Sequence, residues 1–112
     1  MNSVYTYLEN ISSLVTEIPT DSILSRTVLN DDQVKITLFG FAPGQELSEH
    51  TASMPAIIQI LQGEASLTLG EDTMPAQAGT WVHMPANLTH ALKANTPVIM
   101  LLTMIKARRT TG

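Results

Sequence analysis

The 112-residue chain contains no cysteine, which excludes a disulfide framework, a thiolate zinc centre and a cysteine nucleophile. Aromatic residues are scarce: two Phe, two Tyr and one Trp leave little material for stacking on bases or sugars. Charge is scarce too, at 14% of residues, and six basic against ten acidic side chains give a net charge of −4. That is the wrong sign for a general nucleic-acid or anionic-membrane binder. The longest uninterrupted aliphatic run, Val98-Ile99-Met100-Leu101-Leu102, falls far short of the roughly 20 residues that span a bilayer. The start, Met1 to Tyr7, has neither the basic nor the long apolar stretch of a secretory signal, so a cytoplasmic location is expected. No Gly-x-Ser-x-Gly elbow, Gly-x-Gly-x-x-Gly turn or Walker loop occurs, which removes the local signatures of serine hydrolases and nucleotide binders.

What remains is apolar and patterned. Forty-four per cent of residues are hydrophobic, six of them Met, which argues against disorder and for a core of aliphatic side chains and methionine. The length matches one domain. Val34, Ile36 and Leu38 alternate with Lys35, Thr37 and Phe39, and Ala65, Leu67 and Leu69 with Glu64, Ser66 and Thr68. Period two is the mark of a strand. Further strands are expected at 22–29, 57–61, 80–84, 91–94 and 98–105, separated by Asn30-Asp31-Asp32, Ala42-Pro43-Gly44, Gly63 and Gly70-Glu71-Asp72. Seven or eight short strands without a confident long helix read as an antiparallel sandwich or small barrel. Leu8, Ile11 and Val15 are spaced for a short helix within 7–15, although a strand or an extended arm fits equally. Residues 1–20 are therefore expected to form an arm and 21–112 the barrel. Lys106-Ala107-Arg108-Arg109 holds three of the six bases and reads as a solvated, frayed end.

The three histidines are His50, His83 and His90. Gly44 precedes His50 by six positions, and Gly63 closes the following strand. Downstream stands Gly79-Thr80-Trp81-Val82-His83-Met84-Pro85-Ala86-Asn87-Leu88-Thr89-His90. This order of Gly, Pro and His resembles the two motifs of a small single-domain cupin over residues 34–105. The resemblance implies an all-β, double-stranded β-helix (a jelly-roll barrel). It also implies that His50 and His90 lie on neighbouring strands inside the barrel mouth. Asn87 stands where the family's Pro-x-Gly has glycine, and Asn also reaches left-handed backbone.

Three further positions depart from the family. Ala52 and Ala56 replace the second histidine and the glutamate of the first motif, and Ala94 replaces the final asparagine. Of four family ligands, His50 and His90 survive. They are expected to hold at most one divalent transition metal (Zn, Ni, Fe or Cu), weakly, because tight sites need three or four protein ligands. His83, on a strand whose Val82 and Met84 face the core, is expected to point outward, and inward only as a less favoured third ligand. Glu46 is expected in a loop from which it could reach inward.

The two alanines leave an apolar wall beside His50, expected to include Ala52, Ala56, Ile58, Ile60, Met84 and Leu92. The leading expectation is thus a small-molecule-binding cupin. A metal-dependent cupin enzyme of oxygenase or isomerase type and a non-catalytic regulatory or structural module are the alternatives. Val4, Tyr5, Tyr7, Leu8, Ile11 and Leu14 place apolar material outside the barrel pattern, so a homodimer is expected, with no nucleic-acid or membrane partner.

Overall fold

The computed structural model describes residues 4–106, and two antiparallel sheets account for most of them. A short 3-10 turn at Ile11–Leu14 is followed by β1 (Ile23–Asn30), β2 (Val34–Phe41), β3 (Glu46–His50), β4 (Ala56–Gln62) and β5 (Glu64–Leu69). Then come β6 (Asp72–Gln77), β7 (Trp81–Met84), β8 (His90–Ala94) and β9 (Val98–Ile105). One sheet runs β1-β2-β9-β4-β7 and the other β3-β8-β5-β6. The chain is all-β, with the two-sheet jelly-roll layout that the family resemblance implies.

Alternation along each strand decides what faces the interior. Ala56, Ile58 and Ile60 of β4 point in, as do Ala65 and Leu67 of β5, Leu92 and Ala94 of β8, and Val98 and Met100 of β9; all are buried in one cluster with Phe41, Ala76 and Met84. The five-stranded sheet carries a second cluster on its outer side, where Leu38 and Ile99 are covered by Val15, Leu14 and Ile18 of the N-terminal segment. Gly40 makes that cover fit, because a Cβ there would stand 2.7 Å from Val15 Cγ1 and 3.0 Å from Ile18 Cγ1. The helix spacing in residues 7–15 therefore yields only one turn, and the segment packs through Leu14, Val15 and Ile18 onto its own sheet.

Two strands, β3 and β6, depart from the sequence expectation. Both are sheet edges. Pro75 within β6 is tolerated because an edge strand has one side whose N–H groups need no partner. Glu46 belongs to β3 and pairs in register with Lys93, so it does not sit in a loop and does not reach the interior.

Hairpin chemistry fixes the ends. Asp31 Oδ1 accepts from the Gln33 and Val34 amides at 2.8 and 2.9 Å. Those backbone donors hold its carboxyl below the usual carboxylate range. Lys106 donates from Nζ to Asn30 Oδ1 at 2.7 Å and to the Asp31 carbonyl, so it is tied to the β1–β2 turn rather than frayed. Ala107, Arg108 and Arg109 lie outside the described residues. Among the described residues no helix is long and apolar enough to cross a membrane.

Gly63 sits between β4 and β5 at φ +91°, and a Cβ there would overlap the Pro97 carbonyl oxygen. Gly63→Ala is expected to cost at least about 2 kcal/mol, since left-handed strain adds to a backbone clash. Urea unfolding of the two proteins measures the difference, and an unchanged midpoint would refute this account of the corner.

Candidate functional site

The inward rows of the two sheets face each other, and at one end they stop sealing the interior. That end is formed by the starts of β4 and β8 and the ends of β3, β7 and β9.

His90 opens β8 on the same parity as buried Leu92 and Ala94, so strand alternation turns it inward. His50 arrives differently. In β3, Leu47 pairs with Leu92, and strict alternation would then set Glu49 opposite His90. The ladder shifts between Leu47 and His50, and the extra residue brings His50 opposite His90 instead. A β-bulge thus re-aims the side chain, as bulges beside sites commonly do. The two imidazoles meet edge to face, with ring centroids 4.2 Å apart and planes at 61°.

Each ring is held the same way. His50 Nδ1 lies 2.7 Å from the Ser48 carbonyl, and His90 Nδ1 lies 2.9 Å from the Leu88 carbonyl. A carbonyl only accepts, so each Nδ1 must carry the proton and donate it. In the neutral ring this leaves the lone pair on Nε2. Among the described residues neither Nε2 has a protein hydrogen-bond partner. Backbone anchoring of one ring nitrogen is how ligating histidines are commonly oriented.

Across the interior stands a row of different chemistry. Met84 of β7, Ala56 of β4 and Met104 of β9 are register partners at one level of the five-stranded sheet. The row continues to Lys35 on β2, beyond the cavity wall. The two rows enclose a cavity of about 50 Å³, lined by the imidazoles, Ala52, Ala56, Pro85, Leu88, Leu102 and three methionines, Met54, Met84 and Met104. Among the described residues no charged side chain lines it. The two loops at the mouth are joined where Asn87 N donates to the Ala52 carbonyl at 2.7 Å. Asn87 adopts φ +70°, the left-handed backbone its place in the motif requires.

The residues named from sequence divide cleanly. His50, His90, Ala52, Ala56 and Met84 line the cavity. Ile58, Ile60 and Leu92 do not; they lie two and four residues further along their strands from Ala56 and His90, inside the sealed core. His83 pairs with Ile57 on β4, is exposed, and lies outside the lining, as the parity of Val82 and Met84 requires. No third His, nor any Asp or Glu, joins the pair: among the described residues no group of three such side chains is placed to hold a metal. Sequence reasoning missed Met54, Pro85, Leu88, Leu102 and Met104. Leu102 and Met104 simply continue the inward parity of Val98 and Met100, a signal that was present.

Residues 37–105 match the family profile described as the cupin domain. Among solved structures, a conserved protein of unknown function from Streptococcus pyogenes is 30% identical over 97% of this chain and 95% of its own, with a TM-score of 0.82. A cupin superfamily protein from Desulfitobacterium hafniense is 27% identical over 85% of this chain and 87% of its own, with a TM-score of 0.79. An RmlC-like cupin from Shewanella frigidimarina shares the fold at 17% identity, covering 83% of this chain and 84% of its own, with a TM-score of 0.74. No curated protein sequence matches the chain.

The carbonyl contacts make a spectroscopic prediction. Long-range ¹H–¹⁵N correlation of the imidazoles should show His50 and His90 as Nδ1–H tautomers, with Nε2 the unprotonated nitrogen. Nε2–H signals for both rings would show that Ser48 and Leu88 do not anchor them.

Proposed function

The chain belongs to the cupin family, and from that premise we propose that it is a small-molecule-binding cupin whose site is the cavity beside His50 and His90. The observation that supports this reading is the pair of backbone-anchored imidazoles, each offering Nε2 to an otherwise apolar space. Pockets built for small molecules combine apolar walls with a few converging polar groups. Two acceptors and no charged wall favour a neutral ligand that donates a hydrogen bond, such as a phenolic or sugar hydroxyl. The cavity is small, about 50 Å³, so only the ligand's head enters and its body stays at the mouth.

The fold family's divalent metal does not fit these residues. Two imidazoles and no carboxylate replace the donor set that zinc, iron or manganese asks for, and Ala52 and Ala56 stand at the positions the family uses. We therefore derive no oxygenase or isomerase step at this site. The absence of cysteine suits a reducing compartment, and we place the protein in the cytoplasm, without a nucleic-acid or membrane partner.

The outer surface supports an assembly. Trp81, 57% exposed, and His83 lie on the outward side of β7, an edge strand. Val4, Tyr5 and Tyr7 are at least three-quarters exposed on the N-terminal segment. We propose that two copies cover this apolar material by pairing as a homodimer. Sedimentation equilibrium should return twice the chain mass, and a concentration-independent monomer would overturn the assignment.

Calorimetric titration with a panel of phenols and sugars tests the ligand reading. His50→Ala and His90→Ala should each weaken a binding phenol roughly fivefold, the worth of one neutral hydrogen bond. Equal affinity in wild type and both variants would place the ligand elsewhere.

A further inference from the structure

The N-terminal segment stops short of covering the sheet it packs on. Val15 and Ile18 rest over Gly40 of β2, whose register partner on β9 is Ile99. On β4, the next strand of that sheet, the ladder shifts between Ile60 and Gln62 and sets Gln62 level with Ile99. Between the segment and this corner runs a groove of about 410 Å³. Its apolar walls are Val15, Ile18, Pro97 and Ile99, while Ser12, Thr16 and Gln62 supply two hydroxyls and an amide. Among the described residues none of these three side chains has a hydrogen-bond partner, and no charged side chain lines the groove. The same segment begins with what such a groove takes. Val4-Tyr5-Thr6-Tyr7-Leu8 carries no charge, and Tyr5 and Tyr7 are each 75% exposed. A phenol is an apolar ring with one polar tip, and a buried tyrosine needs a partner for its hydroxyl. Neither tyrosine lines the groove of its own chain.

We propose that this groove receives Tyr5 and Tyr7 of a second copy, so that two chains exchange their N-terminal arms. The inference rests on the homodimer reading and names the contact that makes the pair. Such an exchange is isologous: an arm enters a groove twice, once in each direction about a two-fold axis. The chemistry agrees. Gln62 Oε1 accepts from a phenolic hydroxyl, and the Ser12 and Thr16 hydroxyls donate to one. Neither arm nor groove carries a charge, so no ion loses its hydration when they meet. The size agrees as well, since sites that hold organic groups run from roughly 300 to 1,000 Å³. Two rings from each copy, at roughly 200 Å² apiece, with a similar area of groove wall, reach the roughly 1,600 Å² of a stable interface. The position is continuous with the surface already assigned to pairing. Gln59 pairs with Trp81 of β7, and Gln62 lies three residues further along the same strand.

The test uses two full-length variants that damage opposite halves of the contact. Tyr5→Ser/Tyr7→Ser removes the rings and leaves the groove, whereas Thr16→Arg fills the groove with a long cation and leaves the arm. All three positions are exposed, and circular dichroism checks that each protein is folded. Sedimentation velocity over a concentration series should show wild type as a dimer. Each variant should raise the dimer dissociation constant at least about thirtyfold, because buried tyrosines are common hot spots. Mixing the variants then joins the arm of the Thr16→Arg chain to the intact groove of the Tyr5→Ser/Tyr7→Ser chain. A heterodimer should form at concentrations where neither variant pairs with itself, a rescue that no misfolded chain can give. A wild-type dimer that both variants leave unweakened would overturn the exchange and leave the homodimer reading standing. Weakening without a heterodimer on mixing would do the same. A wild-type monomer would overturn the two readings together, and p-cresol binding to that monomer, abolished by Thr16→Arg, would assign the groove to a small phenol instead.

Discussion

Burial of one face of each sheet is the constraint on which everything else in this chain depends. Ile58 and Ile60, Leu67, Leu92, Val98 and Met100 meet across the interior because alternate side chains of their strands share a side. Each such side chain removed from water contributes roughly 1.5–3 kcal/mol, and without disulfides this apolar contact is the main source of order. The same rule fixes register, since a one-residue slip would turn a whole strand inside out. The site exists where the rule lapses. At the level of His50, His90 and Ala56 the inward positions are occupied by imidazole and by a side chain too small to reach across, so the core stops and a cavity begins.

Much of this was legible in the residues. The alternation of Val34 to Phe39 and of Glu64 to Leu69 marked two strands, and the resemblance to the cupin motifs, carried by Gly, Pro and His around His50 and His90, implied that these two residues would lie on neighbouring strands. Two of the four edge strands escaped notice for a physical reason. Glu46–His50 and Asp72–Gln77 have one unpaired side, so polar residues and Pro75 are permitted where a central strand would exclude them, and the alternation is diluted. The depth of the cavity was illegible as well. Ile58, Ile60 and Leu92 share the inward parity of Ala56 and His90, and parity says which side a residue faces without saying how far along the barrel the packing closes. Met54 lies in a loop, where no periodicity applies.

The outer face of the five-stranded sheet shows the same economy. Gly40 provides the shallow place on which Val15 and Ile18 rest, so the segment before β1 finishes the covering of Leu38 and Ile99. Val4, Tyr5 and Tyr7, earlier in that segment, are left facing water. One stretch of chain thus serves two ends, sealing its own sheet with one half and presenting Tyr5 and Tyr7 with the other.

The bulge in β3 governs which donor reaches the mouth. Leu47 and Leu92 hold one end of the pairing, and the single surplus residue before His50 decides which neighbour is delivered to the mouth. Deleting one of the two residues between Leu47 and His50 would restore an even ladder and still set His50 opposite His90, whereas an even ladder through the intact strand would present the carboxylate of Glu49 there. The identity of the donor at this spot is therefore set by where the ladder takes up its surplus residue as much as by composition. The imidazole thus survives loss of the surplus residue, and it is the bulge that keeps a nitrogen rather than an oxygen at the mouth of the intact strand.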